Sequence, residues 1–161
     1  MEELVTARVG TLSKALGCAG GFVSGSRSLI EWLINRARSY IYSTAAPAAI
    51  SAAALAALEI VIAEPHRRHE LLQSADALRE RLAALGWSLG RSASQIIPIV
   101  VGEPQRAVEL SQRLRRHGIL VPAIRPPTVP AGEACLRVSL TWGHNEEQIA
   151  ALVEGLGTER E

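Results

Sequence analysis

Lys14 stands in the run Gly10-Thr11-Leu12-Ser13-Lys14-Ala15-Leu16-Gly17-Cys18-Ala19-Gly20-Gly21, an amine set between two hydroxyls and a glycine-rich turn. Those residue types at that spacing suit pyridoxal phosphate (PLP), a cofactor held as a Schiff base to lysine. The amine must reach an aldehyde carbon. The hydroxyls of Thr11 and Ser13 can bond a phosphate or a ring substituent. The glycines admit a flat ligand close to the backbone. A nucleoside-triphosphate loop fits worse, because there the lysine follows the glycines and precedes Ser or Thr. On spacing alone, a glycine-rich loop with a solvated lysine is the simpler account.

Three further runs carry more information. Tyr42-Ser43-Thr44 is the first, and Ile124-Arg125-Pro126-Pro127-Thr128-Val129-Pro130-Ala131-Gly132 is the second. The third is Leu136-Arg137-Val138-Ser139-Leu140-Thr141. Together with Thr-Leu-Ser-Lys-Ala-Leu-Gly they resemble the α-oxoamine synthase family of PLP enzymes, over residues 5–156. The lysine motif is shared with sister enzymes such as glycine C-acetyltransferase. The Arg-Pro-Pro-Thr-Val-Pro run is more specific to the 8-amino-7-oxononanoate synthases.

The resemblance implies an α/β fold: the C-terminal part of a fold-type I PLP-dependent transferase. Residues 1–65 would end the large α/β domain and start the connecting helical region. Residues 66–161 would complete the connecting helix and form a small α+β C-terminal domain. Lys14 would hold the cofactor and move the substrate's α-proton. Thr11 would bind the phosphate, and Ser43 and Thr44 would reach the phosphate bound by the partner subunit of a homodimer. Arg137 would fork onto the amino-acid carboxylate, a geometry that guanidinium supplies and lysine does not. Thr128 and Arg125 would contact substrate.

The implied reaction is a decarboxylative condensation of L-alanine with a pimeloyl thioester, in biotin synthesis. A glycine C-acetyltransferase-like enzyme is the alternative within the class. A non-catalytic remnant or interaction module is the alternative outside it. Each residue also has a plainer role open to it. Thr11 could serve a turn, Ser43 or Thr44 could cap a helix before Pro47, and Arg125 could be structural. Arg137 could simply face solvent.

PLP works as an electron sink when an acidic partner keeps its ring nitrogen protonated. The family places that aspartate, and a histidine stacked on the ring, upstream of the lysine. Here the only aspartate is Asp76, and no histidine precedes Lys14. The expectation is a chain with the anchor, part of the phosphate site and the carboxylate clamp, but without ring-handling groups. It would be a truncated product, or one half of an enzyme completed by another chain.

Composition limits the other classes. A net charge of +1 makes no broad electrostatic case for nucleic acid or an anionic membrane. Cys18 and Cys135 form no CxxC pair, and residues 1–4 offer neither a basic start nor an apolar signal core. A reduced, cytoplasmic chain is expected. Residues 45–63 are long enough to span a bilayer, but they are alanine-rich and contain Pro47 and Glu59, which favours a buried soluble helix. His66, His69 and Glu70 have metal-pair spacing with nothing to complete the ligand set, so no metal is expected. Arg113, Arg115 and Arg116 suit the last turn of a helix rather than a nucleic-acid surface.

These residues need elements to position them. The patterns predict strands at 4–10 and 22–25, then a helix over 27–38 capped by Ser26. A polar segment at 40–44 leads to an alanine-rich helix from Pro47, ended at Glu64-Pro65. Leu71, Ala75, Leu78, Leu82 and Leu85 mark one face of the next helix, and Gly86 stops it. An edge strand at 96–101, a helix at 105–117, strands at 119–124 and 135–141, and a helix at 145–156 complete the chain.

Overall fold

The structure, a computed structural model, describes residues 5–158; the start of the strand predicted at 4–10 lies outside it, as do residues 1–4. Two compact units divide at Pro65 and His66.

In the first unit, β1 (Ala7–Thr11) and β2 (Gly21–Gly25) pair antiparallel, with Ala7 opposite Gly25 and Thr11 opposite Gly21. Their backbones approach so closely that a Cβ on Gly21 would lie 2.6 Å from the Gly10 carbonyl oxygen. Glycine is the residue that allows this contact. Ser26 caps α1 (Arg27–Arg36), its Oγ accepting from Leu29 N at 3.3 Å.

The predicted helix 27–38 stops short. Ala37 turns extended (φ −74°, ψ 101°), and a separate α2 (Arg38–Ile41) takes up Tyr40 and Ile41 from the segment expected to be irregular. After Pro47 comes α3 (Ala48–Ala63), ended at Glu64-Pro65 as predicted. Its predicted burial is not found. Among the described residues of the first unit only Ala54 is buried, while Leu55 and Ile62 are 63% and 78% exposed. A helix apolar on all sides needs neighbours on all sides, and a two-stranded ribbon with two short helices is too little to cover it.

The second unit has a core. It contains α4 (His66–Ala84), β3 (Ile96–Gly102), α5 (Pro104–Arg116), β4 (Ala123–Ile124), β5 (Ala134–Ser139) and α6 (Glu146–Gly157). The sheet order is β3-β5-β4, antiparallel throughout, which leaves β3 at an edge as its Pro98 predicted. Gly86 (φ 77°) ends α4 by sending Gly86 N to Ala83 O at 2.7 Å and Trp87 N to Leu82 O at 3.1 Å. That paired arrangement satisfies carbonyls the helix end would otherwise orphan.

The strand predicted at 119–124 shrinks to Ala123–Ile124. Ile119 N is taken by Leu114 O at the end of α5, and Pro122 has no N–H to give. Leu78, Leu82, Ile97, Ile99, Leu114, Leu136 and Leu156 are all under 2% exposed, so all three long helices pack on one face of the sheet.

Candidate functional site

Lys14 sits at the tip of the β1–β2 hairpin. Leu12 N donates to Gly20 O at 3.0 Å and Cys18 N to Leu12 O at 2.8 Å, which closes the loop below it. Gly17 N donates to Lys14 O at 2.9 Å across a tight turn, with Gly17 and Gly20 at φ 61° and 95°. Both angles fall where side chains are strained, so the glycines shape the tip. Thr11 Oγ1 lies 2.7 Å from Ser13 Oγ and accepts from Ser13 N at 3.2 Å. The two hydroxyls therefore stand together at the base of the loop, and the Lys14 side chain is exposed beyond them.

One signal in this loop escaped the spacing argument. Lys14 is the only lysine of the chain; every other basic side chain apart from histidine is arginine.

Ser43 and Thr44 lie between α2 and α3, both exposed. Neither caps a helix: α3 begins after Pro47 with no side-chain cap bond. Ser43 joins Val9, Gly10, Phe22, Ile30 and Leu33 in lining an open groove of about 830 Å³ beside the hairpin. The first unit thus brings Ser43 onto the same groove as the hairpin strands.

Arg137 lies at the middle of the central strand β5, opposite Pro98 on β3, with its N–H donating to Pro122 O at 3.0 Å. Side chains alternate across a strand. Leu136 and Val138 enter the core, so Arg137 points to the opposite, helix-free face, where it is exposed. Cys135, two residues back on that face, is 7% exposed. Burial pushes its thiol pKa up and Glu133 adds to this, while the Arg137 guanidinium opposes the rise.

Arg125 and Thr128 bracket a turn just past β4, with Thr128 N donating to Arg125 O at 3.0 Å around a cis Pro126–Pro127 bond. Both side chains are exposed.

The His66-His69-Glu70 cluster is otherwise engaged. Glu70 Oε2 accepts from Trp142 Nε1 at 2.7 Å, and His69 Nε2 lies 2.9 Å from Gln73 Nε2. Asp76 pairs with Arg79 on α4 at 2.5 Å. Trp142 was not singled out by its sequence context, because nothing in a lone tryptophan after a strand reveals its partners across the fold.

The residues present fit part of PLP. An unencumbered lysine and paired hydroxyls on a glycine hairpin suit its aldehyde and phosphate ends. A partner for its ring nitrogen is not among them, since the one aspartate is committed to Arg79.

The chain belongs to the aminotransferase class I and II family, whose model matches residues 1–156. Among its curated relatives, an 8-amino-7-oxononanoate synthase of Nitrosococcus oceani is 51% identical over 148 residues, covering 92% of this chain and 39% of that protein. One from Thioalkalivibrio sulfidiphilus is 48% identical, covering 96% and 40%. The chain thus spans about two fifths of the length of the curated relatives it matches, and it is a partial-length homologue of 8-amino-7-oxononanoate synthase.

Solved structures agree. A Sphingomonas wittichii serine palmitoyltransferase matches with TM-score 0.89 at 31% identity, over 96% of this chain and 39% of that one. The Francisella tularensis 8-amino-7-oxononanoate synthase matches with TM-score 0.82 at 32% identity, over 94% and 44%. The fold is therefore an α/β portion of a fold-type I PLP enzyme. No single helix among the described residues is long and apolar enough to cross a membrane.

Proposed function

We propose that this chain is the C-terminal part of an enzyme that condenses L-alanine with a pimeloyl thioester and releases carbon dioxide. Lys14 carries the reading: a sole lysine on a glycine-shaped hairpin tip, in a chain about half identical to 8-amino-7-oxononanoate synthases. When bound, PLP supplies an electron sink that lets a bond to the amino acid's α-carbon break. Lys14 Nζ would anchor the cofactor, and its amine would serve as the base that moves the α-proton. Thr11 holds the phosphate, with Ser43 and Thr44 contributing to a phosphate site in a homodimer. Arg137 orients the amino acid by a two-pronged bond to its carboxylate, and exposure on the open sheet face leaves its fork accessible. Thr128 and Arg125, on their turn, contact substrate.

The test is chemical. Incubation of the chain with PLP, then borohydride, should leave a stable pyridoxyl group on Lys14 in preference to the α-amine, the only other ordinary amine available. Occupancy should be partial, because the ring partner is missing. Lys14→Ala should lose the adduct. Labelling confined to the α-amine and unchanged in Lys14→Ala would overturn the assignment. Joining the chain to the N-terminal remainder of a curated relative then allows alanine and glycine to be compared with pimeloyl and acetyl thioesters. Preference for glycine with the acetyl donor would favour the glycine C-acetyltransferase alternative.

A further inference from the structure

Trp142, in the loop after β5, is met by His66, Arg67 and Glu70 at the start of α4. Its Nε1–H donates to Glu70 Oε2 at 2.7 Å. The Arg67 guanidinium carbon lies 4.3 Å from its ring centroid, and the His66 ring meets it edge-on at 6.3 Å and 78°. The apolar packing of α4 starts only at Leu71, and its buried residues are Ala75, Leu78 and Leu82. The indole therefore holds the helix one turn beyond the core, where helix ends otherwise fray.

The loop bearing Trp142 is itself fixed. Leu140 N donates to Gln95 O at 3.0 Å, and His144 Nδ1 accepts from Thr141 N at 2.9 Å. Arg137 lies upstream on the same strand.

We infer that Trp142 is a positioning residue: an indole latch that registers the start of α4, where the chain enters the second unit, against the strand carrying Arg137. The inference rests on the reading of Arg137 as the carboxylate-binding arginine. The N–H engages Glu70 while the ring engages both the Arg67 guanidinium and the inclined His66 ring, which defines one orientation where a simple apolar contact would allow several.

Arg67 and Arg68 offer trypsin sites within the latched turn. Trp142→Ala should speed cleavage there roughly tenfold relative to cleavage at Arg115 and Arg116, since proteolysis follows the population of the locally open state. Trp142→Phe keeps a ring for Arg67 and loses the donor, so it should fall between; Glu70→Leu removes the acceptor and leaves the indole in place, and should fall between as well. Cleavage of Trp142→Ala at the wild-type rate would overturn the latch.

In the enzyme completed with a relative's N-terminal remainder, Trp142→Ala should raise KM for alanine about three- to tenfold with kcat little changed. Trp142→Phe should restore most of the loss. A fall in kcat at constant KM would contradict positioning. Arg137→Lys is the comparator. If it leaves alanine kinetics unchanged, the reading of Arg137 fails and the positioning claim with it, while the proteolysis result still decides whether the latch exists.

Discussion

Lys14 and Arg137 differ in how their surroundings prepare them. Lys14 owes its place to glycines that let the backbone turn at φ values other residues avoid. Arg137 owes its place to strand alternation, with Leu136 and Val138 buried on either side and the guanidinium directed to the open face. Its charge also acts on a neighbour. The Cys135 thiol is raised by burial and by Glu133, and lowered by Arg137. A thiol whose folded pKa lies above its unfolded one contributes stability in full below the ordinary thiol range. That contribution is lost as pH rises through the folded value. Urea unfolding at neutral and alkaline pH should show a decline in stability, part of which disappears in Cys135→Ala. Arg137→Gln should enlarge the Cys135-dependent part, because the lowering influence is gone. An identical pH dependence in wild type and Cys135→Ala would contradict this linkage.

Among the elements, α4 and α6 show how much a correct local signal needs a partner. α6 starts with a reciprocal capping box, Gln148 N donating to Asn145 Oδ1 at 2.9 Å and Asn145 N to Gln148 Oε1 at 3.1 Å. Its Ile149, Leu152 and Leu156 then fall into the core that α4 shares. Leu78 on α4 is fully buried in that core. Leu78→Ala should cost about 2–5 kcal/mol, from lost transfer energy and the cavity left behind. Chemical denaturation followed by near-ultraviolet circular dichroism of the buried Trp87 would measure it. A loss under about 1 kcal/mol would mean that the site collapses around the truncation. α3 is the contrasting case: an apolar helix with good propensity but no core to join in this chain.

At the scale of the whole molecule, the burial of the two units is uneven. Every side chain of the main core cluster belongs to the second unit. In the first, Val9, Phe22, Trp32, Tyr42, Leu55 and Ile62 are all exposed, several by more than half. Large exposed apolar surface on a soluble chain usually marks an interface or an aggregation hazard. The chain should therefore associate with itself, as a dimer or larger species whose population grows with concentration. Light scattering across a dilution series would show it. A compact monomer at all concentrations would contradict the expectation.

Several features were legible in the amino-acid order because they depend on local rules. The hairpin loop around Lys14, the Ser26 cap, the Glu64-Pro65 break, the Gly86 stop and the edge character of the Pro98 strand all follow from short-range backbone chemistry. The interruption at Ala37 and the shortening of the 119–124 strand were not legible. A residue's own propensity does not reveal that Ile119 N is claimed by Leu114, or that Pro122 lies opposite Arg137. The exposure of α3 was hidden for a related reason. Hydrophobicity states what a helix would bury, whereas burial depends on which surfaces are present to receive it. Tertiary structure alone brought Trp142 to Arg67 and Glu70, residues more than seventy positions apart. Such contacts exist only after the sheet and helices have packed, because nothing in the intervening sequence encodes their distance.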